Sequence, residues 1–307
     1  MDPLTRKIIT ILRHNGRASY ADIARELSTT RANVAARVNP LFQSGELRVV
    51  AAPHPRVLGL HVSAHLSIKI KGDPRIVLQK LEALDSLSLI TTVVGAYQVV
   101  ADTEVRDMDE LGQQVAMIRA MQHVIDVQVL IYRRVLSSFF PGPAPNPDSV
   151  AFDEYDIAII KRLQQDGRAG YADLAENAGL SVSGSRTRLQ RLLESGLVQI
   201  GAIPQRGDMT DDLVFGIGVN VDGSVDRLQH LFMAQPGLEF IASTVGRLDL
   251  VSTVSFTSLR DFNKLIESIV KLPEVSYCEQ WLHSRLLRER YERAVDCVSR
   301  FEGELRR

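Results

Sequence analysis

Two short runs of basic and small polar residues carry side chains that can donate hydrogen bonds to phosphates and to base edges. An arginine can form a bidentate pair with guanine, and an asparagine can form one with adenine. Asn33 therefore has the chemistry to read adenine, and Arg31 or Arg186 has the chemistry to read guanine. We predict that both runs contact DNA, through Thr30, Arg31, Asn33, Arg37, Ser183, Ser185, Arg186 and Arg188.

The second run lies on the second of two short helices that are joined by a turn. Leu174 and Ala175 mark the buried face of the first of these helices. Gly179 supplies the left-handed residue at its C-terminus, and Ser181 can cap the helix that follows. This is the helix-turn-helix pattern, whose second helix enters the major groove. A solvated helix face, or arginines paired with nearby carboxylates, is the alternative interpretation of the basic residues.

The same pattern occurs twice in the chain. The run from Gly16 to Ala24 matches the run from Gly167 to Ala175, a displacement of 151 residues, and Gly95 corresponds to Gly246 at the same displacement. The duplicated unit is therefore nearly half the chain. The two copies differ locally, because Pro40 in the first stands where the second has Arg191. We expect this proline to end or kink the first recognition helix about a turn early.

Between the helical modules the hydrophobic period changes to two. From Val62 to Ile70 apolar residues alternate with polar ones such as His65, which predicts a half-buried strand. The elements that follow give the order βαββαβ, typical of an antiparallel ferredoxin-like sheet with two helices on one face. The predicted fold is α+β, with two winged helix-turn-helix domains and two ferredoxin-like βαββαβ domains as an internal tandem repeat.

Four prolines between Pro141 and Pro147 interrupt all periodicity and predict a linker. Tyr291, Val295, Val298 and Phe301 follow one helical face near the C-terminus. The predicted organisation is a first helix-turn-helix domain at 1–56, a first βαββαβ domain at 57–138, a linker at 139–150, a second helix-turn-helix domain at 151–208, a second βαββαβ domain at 209–288 and a helical extension at 289–307.

Composition limits the class of protein further. The chain of 307 residues has a formal net charge of −1, so that nucleic-acid binding must come from local patches. No long apolar run or signal-like N-terminus is present, so we expect a cytoplasmic protein without a membrane span. Cys278 and Cys297 have no partners at metal-binding spacing. We predict no metal and no cofactor.

The residues from Gly167 to Ala175, the turn from Gly179 to Ser181, and the helix that includes Arg188 to Leu192 resemble the Lrp/AsnC family of feast/famine transcriptional regulators. The resemblance covers nearly the whole chain. It implies a winged helix-turn-helix that binds double-stranded DNA, and a sheet domain that dimerises and commonly senses amino acids. Family members usually have one copy of each, so the fusion implies that one chain equals one family dimer. It also implies homo-oligomers, as dimers or tetramers of chains.

A glycine-led hairpin in each βαββαβ unit carries part of the family's Gly-x-Tyr-Asp motif. The first copy reads Gly95-Ala96-Tyr97-Gln98 and the second Gly246-Arg247-Leu248-Asp249. The two effector sites are thus either inequivalent or reduced to one. We expect an amino acid or similar metabolite to bind where the hairpins meet neighbouring units. The candidate ligand-binding residues are Gly95, Tyr97, Gln98, Gly246, Arg247 and Asp249.

Two other functions stay open. One is a co-regulator that oligomerises without touching DNA. The other is an enzyme, because some Lrp-like proteins are tetrapyrrole decarboxylases that place histidine, arginine and tyrosine around the second strand and the hairpin. The corresponding strands here, 89–94 and 240–245, hold no acid-base group, and the seven histidines form no cluster in the sequence. We therefore expect no catalytic residues and no enzyme.

The two helix-turn-helix copies differ in charge. Residues 1–56 contain nine basic and four acidic residues, a net charge of +5. Residues 153–208 contain seven basic and eight acidic residues, a net charge of −1. Because phosphate neutralisation supplies most non-specific affinity, we expect the first copy to contribute more of the salt-dependent binding.

Overall fold

The first half of the chain contains the predicted helical module followed by the predicted sheet module. A computed structural model describes residues 2–138, 153–204, 212–293 and Val295. The first half forms α1 (Pro3–His14), α2 (Tyr20–Glu26), α3 (Arg31–Gln43), β1 (Leu47–Pro53), a short 3-10 helix (Pro55–Leu58), β2 (Val62–Ile70), α4 (Arg75–Glu82), β3 (Leu87–Val94), β4 (Val99–Val105), α5 (Met108–Arg119) and β5 (Val124–Ser138).

The second half repeats the α-helices and strands at a displacement of 151 residues, and among these elements only the second helix of the module is longer, by one residue. It forms α6 (Glu154–Gln165), α7 (Tyr171–Ala178), α8 (Val182–Glu194), β6 (Val198–Pro204), β7 (Leu213–Val221), α9 (Asp226–Met233), β8 (Leu238–Val245), β9 (Leu250–Phe256), α10 (Leu259–Val270) and β10 (Val275–Glu289).

The described residues divide into two compact units. One contains residues 2–59, 153–204, 291–293 and 295, and so holds both helix-turn-helix modules, which we call the first and second heads. The other contains residues 60–138 and 212–290 and holds both sheet modules. The predicted linker at 139–150, with Pro141 and Pro147, lies outside the described residues, as do Cys297, Val298, Phe301, Arg206 and Asp208.

The prediction that Pro40 shortens the first recognition helix is wrong. Helix α3 continues through Pro40 to Gln43 and has the same 13 residues as α8. A proline in the last turn removes a single hydrogen bond, and Val34 and Val38, which are fully buried, hold the helix against the rest of the head. Ser28, which replaces Gly179 at the turn, adopts the left-handed conformation that a glycine would otherwise supply, with φ of 51°.

The sheet unit is a single closed sheet of eight antiparallel strands, in the order β10-β3-β4-β2-β5-β8-β9-β7. Each half contributes the ferredoxin-like strand order, β3-β4-β2-β5 in the first and β8-β9-β7-β10 in the second. The resemblance implied that the two sheet modules of one chain associate as a family dimer does. The structure adds hydrogen-bonded edges, β3 with β10 and β5 with β8, because the last strand of each half is 15 residues long and reaches across to the other half.

Closure changes which faces of the strands are buried. The outer face of β2 packs Leu66 and Ile68 under helices α4 and α5. The inner face, predicted to be polar and half exposed, holds His65 and Ser67, and both are buried. A cluster of apolar side chains fills the interior: Val93, Val100, Leu130, Leu248, Val251 and Trp281, with Tyr132 and Phe240 against it.

Within the described ranges, every helix is too short or too polar to span a lipid bilayer. The same residues contain no group of three or more histidine, cysteine, aspartate or glutamate side chains that could hold a metal ion. Cys278 is a free, half-buried thiol, and burial raises its pKa to about 11.

Candidate nucleic-acid interface

Capping residues fix the start of both recognition helices. The Thr30 hydroxyl accepts a hydrogen bond from the Asn33 backbone N–H at 3.1 Å, and the Ser181 hydroxyl accepts one from the Gly184 N–H, also at 3.1 Å. These bonds satisfy backbone donors that the first turn leaves free. Thr30 therefore has a structural role at the beginning of α3, beside the DNA contact predicted for it.

Arg31 and Arg186 are the exposed arginines of the two recognition helices. Arg31 is the first residue of α3, and it has no hydrogen bond or ion pair to any other described residue. Arg186 lies on α8 with its guanidinium 5.8 Å from the centre of the Tyr171 ring. Ser183 is exposed on the same helix. These three side chains are available to a duplex.

The other two candidates of the first head bind each other. Arg37 donates to Asn33 Oδ1 at 2.6 Å, and Asn33 donates through Nδ2 to the Thr29 hydroxyl at 2.8 Å. Arg37 also lies 3.6 Å from the Asp2 carboxylate. Asn33 must release both hydrogen bonds before it can pair with adenine. The arrangement leaves Arg31 as the freest reading group of the first head.

In the second head the candidate arginine is committed to an internal ion-pair network. Arg188 donates to Asp153 at 2.7 Å and to Asp156 at 3.0 Å, and Arg191 also binds Asp156. The Asp156 side chain is 0% exposed. Hydrogen bonding to Asp153 raises the pKa of Arg188. Both arginines are thus partly neutralised before DNA arrives.

Ser185 is fully buried, although the sequence placed it among the DNA-contacting residues. Its hydroxyl donates to the backbone carbonyls of Tyr171 and Val182, at 2.9 Å and 3.0 Å. It therefore attaches α8 to α7 and does not present its side chain at the surface. The position of a serine near the start of a helix does not indicate whether it contacts DNA or is buried against another helix.

The two heads are joined by a strand pair and by the repeated Gly-Arg motif, which is Gly16-Arg17 in the first head and Gly167-Arg168 in the second. Strands β1 and β6, the wings of the two helix-turn-helix domains, pair with each other in antiparallel register. Arg17 donates to the Gly167 carbonyl at 3.0 Å, and Arg168 donates to the Ala18 carbonyl at 3.2 Å. The Arg17 guanidinium also lies 5.4 Å from the centre of the Tyr171 ring. Burial lowers the pKa of Arg17, although arginine stays charged at neutral pH.

The junction between the heads requires glycine at position 167. A Cβ on Gly167 would lie 2.7 Å from the Val49 carbonyl oxygen, whose hydrogen bond with the Gly167 N–H is 3.2 Å long. We expect Gly167→Ala to lower the free energy of unfolding by about 1–3 kcal/mol, the usual cost of overpacking. Gly170→Ser is the control, because a Cβ there meets nothing within 4 Å and Ser19 is the N-cap at the equivalent position of α2. Urea unfolding of both variants checks this, and equal losses would contradict it.

In the sheet unit, both hairpins predicted to bind a ligand are anchored to the neighbouring strand. Gln98 Oε1 accepts from the Ile70 N–H at 2.8 Å, and Asp249 Oδ2 accepts from the Val221 N–H at 3.0 Å. These two bonds are equivalent under the 151-residue displacement. The sequence difference between Gln98 and Asp249 therefore preserves one structural contact.

The remaining hairpin candidates meet across the duplication. Arg247 forms a bidentate ion pair with Glu279, at 2.7 Å and 2.6 Å, and its guanidinium lies 5.4 Å from the centre of the Tyr97 ring. Burial lowers the pKa of Arg247 and the bonds to Glu279 raise it, with a net upward direction. Gly95 and Gly246 allow close approach, since a Cβ on either would lie about 3 Å from strand β10 or β5. Arg247 and Tyr97 therefore lie together, and the side chains of Arg247, Gln98 and Asp249 are already paired.

One polar cluster was missed by the sequence analysis. His65, Asp102 and Tyr132 meet at the interior of the closed sheet, beside Trp281. They come from three strands, and of the three only His65 was assigned from the sequence, to the polar face of a half-buried strand. The period-two pattern cannot show that a sheet closes on itself. The only available signal was that the polar face of β2 contains a histidine and two serines.

Comparison with known proteins agrees with these features. The model of the AsnC-type helix-turn-helix domain matches residues 1–41 and 152–193. An HTH-type transcriptional regulator of Pyrococcus abyssi is 32% identical over 113 residues, which are 36% of this chain and 72% of that protein. The HTH-type transcriptional regulator Ptr1 of Methanocaldococcus jannaschii is 32% identical over 118 residues, 38% of this chain and 80% of that protein. The chain belongs to the Lrp/AsnC family of helix-turn-helix transcriptional regulators.

Among solved structures, the siroheme decarboxylase NirDL has a similar fold over almost the entire length. The TM-score is 0.64 with 15% sequence identity, and the match covers 98% of each chain. At this identity the likeness concerns the fold. In NirDL too, a fold of this kind extends over a single polypeptide.

Proposed function

We propose that one chain is the equivalent of a family dimer and regulates transcription by binding a specific operator with both of its heads. The observation that carries this proposal is that the two recognition helices, α3 and α8, belong to one compact unit whose heads share the β1–β6 strand pair. The reciprocal bonds of Arg17 and Arg168 to the opposite head add to that connection. Two fixed helices can enter successive major grooves on one side of a duplex.

The heads are unlike, and so the operator should be unlike in its two halves. The Arg31 side chain makes no ion pair with any described residue, whereas the second head pairs Arg188 and Arg191 with buried Asp156. A symmetric dimer reads a palindrome because its two halves are identical. We propose two dissimilar half-sites about one helical turn, or a multiple of it, apart.

The proposed regulator responds to an amino acid or a related small metabolite, and membership in the family supports this effector class.

The chains are proposed to associate into dimers or tetramers. Support for association comes from the family, and from exposed apolar residues at equivalent positions before both hairpins, Val94 and Val245. Exposed apolar side chains of this kind are common at interfaces between subunits. Native mass spectrometry of the purified protein gives the number of chains, and a single-chain particle would contradict association.

The test of DNA binding is a gel shift followed by footprinting on the region upstream of the protein's own gene. We expect a retarded band at nanomolar to submicromolar protein, and two protected segments whose centres are about 34 Å, or a multiple of this, apart along the duplex. An unrelated fragment of equal length is the control. Equal retardation of both fragments would exclude specific recognition, and no retardation of either would favour the co-regulator without DNA contact.

A tetrapyrrole decarboxylase is the second candidate, favoured by the full-length fold likeness to NirDL. We propose that the chain is not an enzyme, and the distinction is open to a direct assay. Incubation with an iron tetrapyrrole that carries acetate and propionate side chains, followed by mass spectrometry, would detect loss of carbon dioxide. Turnover would overturn the proposal that the protein acts only as a regulator.

A further inference from the structure

One tyrosine of the second head contacts an arginine from each head. Tyr171 is the first residue of α7, and it is 37% exposed. The guanidinium of Arg186, on α8, lies 5.8 Å from the centre of the Tyr171 ring. The guanidinium of Arg17, which belongs to the first head, lies 5.4 Å from the same centre. Both distances are within the range of about 6 Å in which an aromatic ring attracts a cation.

Hydrogen bonds hold the groups around this ring in place. The hydroxyl of Ser185, which precedes Arg186, donates to the Tyr171 carbonyl at 2.9 Å and so fixes the Tyr171 backbone to α8. Arg17 donates to the Gly167 carbonyl at 3.0 Å, which keeps its guanidinium in the second head. The Tyr171 backbone is therefore held by its own head, while its ring is contacted by the other head.

The corresponding tyrosine of the first head, Tyr20, is held differently. The Tyr20 hydroxyl donates to Asn39 of its own recognition helix at 3.0 Å. Gln190 stands at the position of Asn39 in the second head, and it donates to Glu194 instead. The Tyr20 ring is thus attached to α3 within the first head, whereas the Tyr171 ring depends on the other head for its contact.

The duplication also provides an arginine with the same contacts but without a reading group to orient. Arg168 donates to the Ala18 carbonyl at 3.2 Å, and its guanidinium lies 5.3 Å from the centre of the Tyr20 ring. The position of α3 that corresponds to Arg186 is occupied by Ala35. The first head therefore has the arginine from the other head and the tyrosine, but no arginine at this position of its recognition helix.

The Tyr171 ring is the contact that restrains Arg186, because Arg186 forms no hydrogen bond or ion pair with another described residue. An exposed arginine loses much rotamer freedom when it is fixed against a ligand, and a side chain that is already restrained loses less. A ring that is itself held in place can therefore prepare Arg186 for contact with a base.

We propose that Arg17 is a positioning residue for Arg186. Through the Tyr171 ring, the first head sets the orientation in which Arg186 meets the second half-site. Base recognition by the second head then depends on a residue of the first head. This inference rests on the proposed binding of a specific operator by both heads.

The test measures discrimination at each half-site separately. The probes are the operator fragment found by footprinting and fragments with one base pair of either half-site exchanged, and fluorescence anisotropy gives the affinity ratio of each pair. The half-site whose ratio falls in Arg186→Ala is the one that the second head reads. We expect Arg17→Ala to lower this ratio about two- to fivefold, the effect of losing an exposed contact between a guanidinium and a ring. The ratio at the other half-site should stay unchanged.

Arg168→Ala is the matched control, because it removes the same charge and also one hydrogen bond between the heads. We expect it to weaken binding to all fragments and to change neither ratio. Tyr171→Leu should reproduce the loss at the second half-site, and Tyr171→Phe, which keeps the ring, should retain the ratio. In the Arg186→Ala background, Arg17→Ala should lower the ratio no further, because its effect passes through Arg186. Circular dichroism shows that each variant is folded.

A second measurement does not require DNA. In the full-length protein labelled with ¹⁵N-arginine, the Nε–Hε resonance of Arg186 is identified by its absence in Arg186→Ala. At mildly acidic pH, where this proton exchanges slowly with water, its chemical shift reports the nearby Tyr171 ring. We expect the resonance to shift in Arg17→Ala and in Tyr171→Leu, and to keep its position in Arg168→Ala.

The outcomes separate this inference from the proposed function. Equal falls of the ratio at both half-sites, equal effects of Arg17→Ala and Arg168→Ala on the ratio, or an Arg186 resonance that Arg17→Ala leaves in place would overturn the inference while DNA-binding regulation stands. If the unmodified protein binds no fragment specifically, the proposed function fails. The Arg186 resonance then decides separately whether Arg17 positions this side chain.

Discussion

Replacing both Arg188 and Arg191 with alanine is expected to lower the free energy of unfolding of the head unit by about 3–5 kcal/mol. The reason is the position of Asp156, whose side chain is 0% exposed and is hydrogen-bonded to both arginines. Removal of both partners leaves a carboxylate buried without a compensating charge, which is among the largest single-site penalties in proteins. Urea unfolding followed by circular dichroism measures the change.

The matched control is Arg186→Ala on the same helix. Arg186 is exposed, and its aromatic contact is with Tyr171 at 5.8 Å. Substitutions at such surface positions usually change stability by within about 0.5 kcal/mol. The network would be shown to contribute little if the double variant and the control unfolded at the same urea concentration. The first head has no such network, because Thr5 and Pro40 stand at the positions of Asp156 and Arg191.

Arg31→Ala is expected to weaken operator binding by about 1–3 kcal/mol, roughly five- to 150-fold, which is the range for loss of an arginine that contacts a base. Arg31 is the first residue of α3, and its side chain forms no hydrogen bond or ion pair with another described residue. Arg186→Ala should cost less, because the second head has the less favourable net charge, −1 against +5. Fluorescence anisotropy with a labelled operator measures both affinities.

A salt series then distinguishes phosphate from base contacts. If Arg31 contacts a phosphate, its replacement should reduce the slope of log affinity against log salt by about one and weaken binding to all sequences equally. If Arg31 contacts a guanine, the Arg31→Ala variant should bind the operator and an operator with that guanine replaced with the same affinity. Arg37 and Arg188 make poor reporters of DNA contact, since each is bound within its own head. Equal losses from Arg31→Ala and Arg186→Ala would show that the charge difference between heads is irrelevant.

Much of the local structure could be predicted because it depends on neighbouring residues in the sequence. Ser181 caps its helix as its residue type indicates, and the alternation from Val62 to Ile70 is a strand. The helix-turn-helix assignment is confirmed by the family comparison. The prediction at Pro40 was wrong because the tendency of proline to end a helix was outweighed by the burial of Val34 and Val38 in the head.

Side-chain roles at the surface were harder to predict, because partners far along the chain decide them. Ser185 and Arg186 are adjacent and both polar, yet one is fully buried against α7 and the other is exposed. Arg188 meets Asp153 and Asp156 more than 30 residues away. No pattern of spacing within the recognition helix distinguishes an arginine that reads DNA from one that closes an ion pair.

The sequence by itself determined the duplication, the helix-turn-helix pairs, the βαββαβ order and the family, because each is carried by periodicity, capping or residues repeated at a constant displacement. Only the tertiary structure decided that the two sheets close into one, that the Gly-Arg motif joins the heads, and that His65, Asp102 and Trp281 meet. These contacts join strands and loops that are tens to more than 200 residues apart. Their formation depends on which edges pair and which faces are enclosed, and a one-dimensional pattern does not contain that information.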